Sequence, residues 1–174
     1  SLRSGPWTRE ALVLDGGDLL PRAGGFAAAM RPELVLRLGD APVSKAQRLW
    51  LEAAAPAEVW WLDEGGQWGE PSRRVTRVVE SGAASLLREA AARLPARPAQ
   101  GQRWVEAFAA ARTRGRAALV AEAEGPEGFC GLTVALAIAR ALPADAQLFA
   151  SNSMPIRLLD LALPARSAPL RVLC

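Results

Sequence analysis

Leu34, Val35, Leu36 and Leu38 make a short apolar run ended by Gly39, which predicts a strand buried on both faces. After Pro42 and Val43, Ser44 is the natural N-cap of a helix over residues 45–55, with Leu49, Trp50 and Ala53 at core spacing. Residues 59–62 and 75–79 read as a second and a third strand, and 86–94 as another helix. This alternation predicts an α/β fold: a mostly parallel sheet with helices on both faces. Upstream, residues 1–8 are turn-rich, and 18–30 form an Ala/Leu-rich stretch that predicts a helix despite Gly24 and Gly25. Residues 104–122 carry a long helical pattern interrupted only at Gly115. Gly125-Pro126-Glu127-Gly128 then marks a boundary. Beyond it the alternation restarts with a helix at 129–142, a strand at 148–150, a helix at 155–163 and a strand at 170–173. The chain stops at Cys174 as a strand finishes, which reads as a cut and not a natural terminus.

Length sharpens this picture: 174 residues allow one α/β domain, or one domain with part of a second. With 51% hydrophobic and 22% charged residues and a mean hydropathy of +0.09, the chain can bury a core. No apolar run reaches membrane-spanning length, and the first residues lack a signal-peptide layout, so a soluble cytoplasmic protein without a membrane partner is expected. Cys130 and Cys174 have no metal spacing and read as buried thiols.

The chain has no histidine and no tyrosine. A Ser-His-Asp triad, a Cys-His pair, an HExxH zinc site and a Cys/His finger are therefore excluded within it. What remains is carboxylate, hydroxyl, amide and guanidinium chemistry, one ammonium, or a cofactor. Of 21 basic residues only Lys45 is a lysine, and Asn152 is the only asparagine, although a GC-rich coding bias would produce the same scarcity.

Ligands of parallel sheets bind at the carboxyl ends of strands, which draws attention to two strand-to-helix junctions. The first is Gly39 to Gln47, with Lys45 in the opening helical turn. A cation there opposes the helix dipole by a few tenths to about 1 kcal/mol, a sign that an anionic ligand would reverse. The competing reading is a solvated lysine beside a serine cap. The second junction is Ala150 to Asp160, where Asn152 and Ser153 leave a strand, Pro155 suits a first turn and Arg157 again brings a cation to the helix start. Arg157 can hold a carboxylate through two parallel hydrogen bonds. The competing reading is a Ser153 N-cap with Arg157 paired to Asp160.

Other features carry less. Arg73, Arg74 and Arg77, with Arg112, Arg114 and Arg116, could face phosphates, but the net charge is only +3. Trp50, Trp60 and Trp61 sit at apolar positions that suit a core, and no nucleic-acid motif is present. The acidic, glycine-containing stretches 15–18 and 63–66 lack calcium-loop spacing and read as turns, and no GxGxxG follows a strand.

Ser151-Asn152-Ser153-Met154-Pro155-Ile156-Arg157, after the strand Ala-Asp-Ala-Gln-Leu-Phe, resembles a signature of the thiamine-diphosphate enzymes 2-succinyl-5-enolpyruvyl-6-hydroxy-3-cyclohexene-1-carboxylate synthase of menaquinone biosynthesis. Arg31-Pro32-Glu33-Leu34-Val35-Leu36-Arg37-Leu38-Gly39 with Pro42-Val43-Ser44-Lys45 resembles that family's central domain in the same order, as does Ser1-Leu2-Arg3-Ser4-Gly5. The resemblance implies that residues 1–123 are the later part of a Rossmann-like central domain and 124–174 the opening of a diphosphate-binding domain, the sheet incomplete at both ends. It implies thiamine diphosphate and Mg2+ in the full-length enzyme, with their main binding motifs outside this chain. The implied reaction decarboxylates 2-oxoglutarate and adds the succinyl unit to isochorismate, in a homo-oligomer with active sites between subunits. Lys45, Asn152, Ser153 and Arg157 would hold substrate carboxylates, while no catalytic or metal-binding residue would lie in this segment. Two positions depart from the family pattern: Ala46 stands where an arginine can follow the lysine, and Leu158 where aspartate is common. A noncatalytic α/β module that captures an organic anion is the alternative.

Overall fold

The computed structural model describes residues 4–9, 13, 15–66, 72–95, 99–126 and 129–173. They fall into two compact units, one of residues 21–106 and one joining 1–20 to 107–174. The architecture is the expected α/β type, built on parallel strands.

In the 21–106 unit, helix α1 (Gly24–Ala29) precedes strand β1 (Leu34–Leu38), helix α2 (Lys45–Ala54) and strand β2 (Glu58–Leu62). Strand β3 (Arg77–Val79) and helix α3 (Ala83–Arg93) follow, and helix α4 (Ala99–Ala123) begins in this unit. The three strands pair in the order β1-β2-β3, with Leu34 opposite Glu58 and Trp60 opposite Arg77. Trp61 and Leu62, each 2% exposed, are the most buried large side chains of this sheet. The Trp61 indole Nε1 donates to the Gly39 carbonyl at 3.0 Å, and the Arg37 guanidinium stacks over its ring at 4.5 Å. Trp50 is half-buried against the Phe26 ring and donates to the Met30 carbonyl, tying α1 to α2.

Two expectations fail here. Strand β1 is not buried on both faces: Leu34, Leu36 and Leu38 are 52%, 37% and 41% exposed. Arg48 and Leu51 of α2 share a pocket with Val35 and Val59, so that helix covers the opposite side of the strand. The helix expected over 18–30 is also reduced, to a 3-10 turn at Leu20–Arg22 and the six residues of α1. Pro21 and the Gly24-Gly25 pair interrupt what the Ala/Leu composition favours.

In the other unit, the rest of α4 packs with helix α5 (Gly131–Ala141), strand β4 (Ala146–Phe149), helix α6 (Met154–Ala162) and strand β5 (Leu170–Leu173). β4 and β5 form a separate two-stranded parallel sheet. Leu119, Ala123, Ala135, Leu136, Leu159, Ala162 and Leu170 make a continuous core. Ser4 bridges to Arg166, and its hydroxyl donates to the Leu170 carbonyl, fastening the amino-terminal segment beside β5.

Helix α4 runs through Gly115 without a break. A Cβ there would lie 3.1 Å from Leu20 Cδ2 and 3.2 Å from Leu19 Cδ2, so the glycine admits these leucines to the helix surface. The helix also starts at Ala99, ahead of the expected 104. Among the described residues no helix is long and apolar enough to cross a membrane.

Candidate anion-binding junctions

The β1–α2 junction follows the sequence reading closely. Gly39 leaves the strand at φ 75°, a conformation easy for glycine and costly for other residues. Ser44 holds an extended φ of −67°, and its Oγ accepts the Gln47 amide at 3.1 Å as an N-cap. Lys45 is the first residue of the helix and is exposed, with no hydrogen bond or ion pair among the described residues. The opposite end of α2 closes on Ala55 in the left-handed region at φ 46°, while Arg31 Nη2 donates to the Ala54 carbonyl at 3.1 Å.

The β4–α6 junction differs. Ser153 precedes the helix at φ 73°, ψ −131°, in a region that side-chain-bearing residues rarely occupy. Its hydroxyl caps no amide of α6, so the expected serine N-cap is absent. A cap needs the preceding residue extended, as Ser44 is, and the positive φ turns Ser153 away from that geometry. Pro155 lies in the first turn as expected. Asn152, Ser153 and Arg157 are all exposed. The proposed Arg157–Asp160 ion pair is not formed: Arg157 has no ionic partner among the described residues.

The structure thus gathers Asn152, Ser153 and Arg157 at one turn of the 107–174 unit, and puts Lys45 at the corresponding turn of the 21–106 unit. At both turns a cation stands at a helix start, where exposed backbone amides already favour an anion. At α6 those amides receive no serine hydroxyl.

The base of α6 carries groups that sequence reasoning missed. Asp15, 9% exposed, was legible only as part of an acidic turn. Its Oδ2 accepts the Ala165 amide at 2.8 Å, and Oδ1 lies 3.5 Å from Arg112 Nε. Arg116 Nη1 donates to the Leu161 carbonyl at 3.2 Å. Burial lowers the Arg116 pKa from the usual guanidinium range, with the Asp15 charge acting the other way. Nothing in local spacing links residues 15, 116 and 161. The only sequence signal was an i, i+4 pair of arginines, Arg112 and Arg116, on a helix.

Cys130 corrects another expectation: it is exposed. It stands at the N-cap of α5, its amide donating to Thr133 Oγ1 at 3.3 Å with Sγ 3.4 Å from the same oxygen. Hydrogen bonding from Thr133, then from the Thr133 and Leu132 amides, holds the thiol below its ordinary pKa. Cys174 lies outside the described residues. Among the described residues no three His, Cys, Asp or Glu side chains converge as a metal-binding group.

No protein-family model matches the chain. Curated proteins do. The chain is 42% identical over 163 residues to the 2-succinyl-5-enolpyruvyl-6-hydroxy-3-cyclohexene-1-carboxylate synthase of Myxococcus xanthus, an alignment covering 93% of this chain and 27% of that protein. The synthase of the same name from Halobacterium salinarum is 38% identical over 176 residues, covering 99% of this chain and 28% of the relative. That of Geobacillus kaustophilus is 36% identical over 162 residues, covering 92% and 27%. Nearly all of the chain is therefore homologous to these synthases, and it spans little more than a quarter of their length.

Proposed function

We infer that the chain is a segment of a 2-succinyl-5-enolpyruvyl-6-hydroxy-3-cyclohexene-1-carboxylate synthase, and that the whole protein adds the succinyl unit of 2-oxoglutarate to isochorismate in menaquinone biosynthesis. The observation that carries the reading is the β4–α6 turn. There, within Asn152-Ser153-Met154-Pro155-Ile156-Arg157, an exposed guanidinium meets a helix start that no serine hydroxyl caps. Both proposed substrates carry carboxylates, the ligand class such a turn attracts.

Residues 1–123 belong in this reading to the central domain and 124–174 to the opening of the diphosphate-binding domain. Its support is the chain reversal at Glu124–Pro126 and the separate β4–β5 sheet beyond it. The compact units divide elsewhere because Val13, Asp15, Leu19 and Leu20 meet the second half of α4. Thiamine diphosphate would supply the electron sink for decarboxylation in the full-length enzyme. By the same resemblance the main binding motifs for it and for Mg2+ lie outside this segment, which is assigned no step at the cofactor or the ion. Cytoplasmic location and homo-oligomeric assembly belong to the same reading and rest on the resemblance.

The segment's own work is binding. Arg157 takes a substrate carboxylate through a bidentate contact, and Asn152 and Ser153 add neutral hydrogen bonds from the same turn. Lys45 supplies a second, monodentate ammonium.

Isochorismate-dependent consumption of 2-oxoglutarate by the full-length protein with thiamine diphosphate and Mg2+ tests this. Two charge-assisted hydrogen bonds at about 1.5 kcal/mol each correspond to roughly a hundredfold in kcat/KM, the loss expected of folded Arg157→Ala. Lys45→Ala, which removes one such contact, is expected to lose roughly tenfold. Full activity in both variants would return the two residues to ordinary solvated cations. An inactive, folded, cofactor-loaded parent would overturn the synthase reading in favour of a noncatalytic anion-binding module.

A further inference from the structure

Helix α6 is held unevenly. Its N-terminal end has no side-chain cap and a strained preceding residue, so the turn that carries Arg157 is not fixed by its own sequence. Its C-terminal end is clamped. Arg116, on α4, donates to the carbonyl of Leu161, which lies one helical turn after Arg157. Asp15 holds the chain just beyond the helix by accepting the Ala165 amide, and is itself fixed by Arg112, four residues before Arg116 on α4. Arg112 also donates to the Val13 carbonyl at 3.4 Å. Between the two ends, Leu159 and Ala162 are buried in the core.

We propose that Arg116 is a positioning residue for Arg157: by holding the Leu161 carbonyl against α4 it sets the axial position and rotation of α6, and so where the Arg157 guanidinium meets a carboxylate. The proposal rests on the reading of Arg157 as a substrate-binding group. A short helix held at one end transmits a shift of that end directly to the other, because its backbone hydrogen bonds make it rigid over so few turns. A guanidinium suits the task. It places a cation at the negative end of the helix dipole and binds a carbonyl that the helix leaves unsatisfied. Leu158 closes the contact with α5, where a Cβ on Gly131 would lie 2.8 Å from Leu158 Cδ1.

The test is a double-mutant cycle in the full-length protein, with KM for 2-oxoglutarate and for isochorismate measured separately from kcat. Arg157→Ala identifies the substrate whose KM depends on Arg157. Arg116→Met is expected to raise that same KM roughly tenfold with little change in the other, since misplacement of about 1 Å is enough to weaken an oriented contact. Arg116→Lys, which keeps a charged donor, is expected to recover most of the loss. In the Arg157→Ala background Arg116→Met should add nothing to that KM, a coupling that general destabilisation does not produce. If Arg116→Met does not yield folded protein, Arg116→Gln takes its place in the cycle. An unchanged KM in the folded Arg116→Met or Arg116→Gln variant, or losses that multiply independently in the double variant, would overturn the positioning role and leave the binding role of Arg157 intact. An Arg157→Ala enzyme with unchanged KM for both substrates would remove both.

Discussion

The β1–α2 and β4–α6 junctions share one plan, a parallel strand, a short turn and a helix with a cation at its start, yet they divide the labour of the turn differently. In the first, Gly39 provides the positive φ and Ser44, five residues later, remains extended and caps the helix. In the second, Ser153 itself takes the positive φ and caps nothing. The comparison shows that a serine before a helix is a cap only when another residue turns the chain. At their far ends the two helices agree: Arg31 holds the Ala54 carbonyl of α2 and Arg116 the Leu161 carbonyl of α6, at 3.1 and 3.2 Å. Each cation-bearing helix is thus gripped at its carbonyl end by an arginine from another element.

The comparison can be broken most forcefully at the base of α6. Asp15→Ala removes a charged acceptor from the half-buried Ala165 amide and a partner from Arg112, and is expected to cost about 3 kcal/mol. Urea unfolding of the full-length protein measures it; a cost below about 1 kcal/mol would mean that α6 is not anchored there. At the other junction, Trp61→Phe deletes the Nε1 bond to the Gly39 carbonyl and weakens the Arg37 stack. A loss of about 1 to 2 kcal/mol by the same measurement is expected.

The serines sharpen the contrast. Ser44→Ala should cost about 1 kcal/mol and speed amide hydrogen exchange in the first turn of α2. Ser153→Ala should change stability by less than about 0.5 kcal/mol, and Ser153→Gly should stabilise by up to about 1 kcal/mol by relieving the positive φ. Equal effects at the two serines would erase the difference between the turns.

A third helix start gives the smallest effect. Cys130 caps α5 with Thr133, whose hydrogen bonds stabilise the thiolate. A lowered thiol pKa puts more thiolate in solution at neutral pH, so the pH midpoint of Cys130 alkylation should lie below that of a free thiol. Thr133→Val should move the midpoint up. A midpoint unmoved by the substitution would remove Thr133 as the cause.

Much of this was legible locally. Strand β1 and helix α2 begin and end close to where the apolar run, Gly39 and Ser44 place them. The β4–α6 turn is legible in the sequence through Asn152, Pro155 and Arg157. Illegible were the features that depend on distant partners. Gly115 looks like a helix break, but Leu19 and Leu20 occupy the space it leaves. Cys130 looks like a buried thiol because its residue type is usually buried, whereas its position at the start of α5 exposes it. Val75 reads as the start of a strand, yet β3 begins at Arg77.

What the sequence determined by itself is what short-range sterics and periodicity control: an α/β alternation, parallel strands, the two strand-to-helix junctions, and the restriction to carboxylate, hydroxyl, amide and cation chemistry, or a cofactor, that follows from a chain without histidine or tyrosine. Tertiary structure alone decided which face of β1 is covered, that Ser153 turns instead of capping, and that residues 15, 112, 116, 161 and 165 meet at one end of α6. The division has a simple cause. A residue's helix or strand preference acts over a few neighbours, but its hydrogen-bond partner and its burial are set by segments far away in the chain, 150 positions for Asp15 and Ala165.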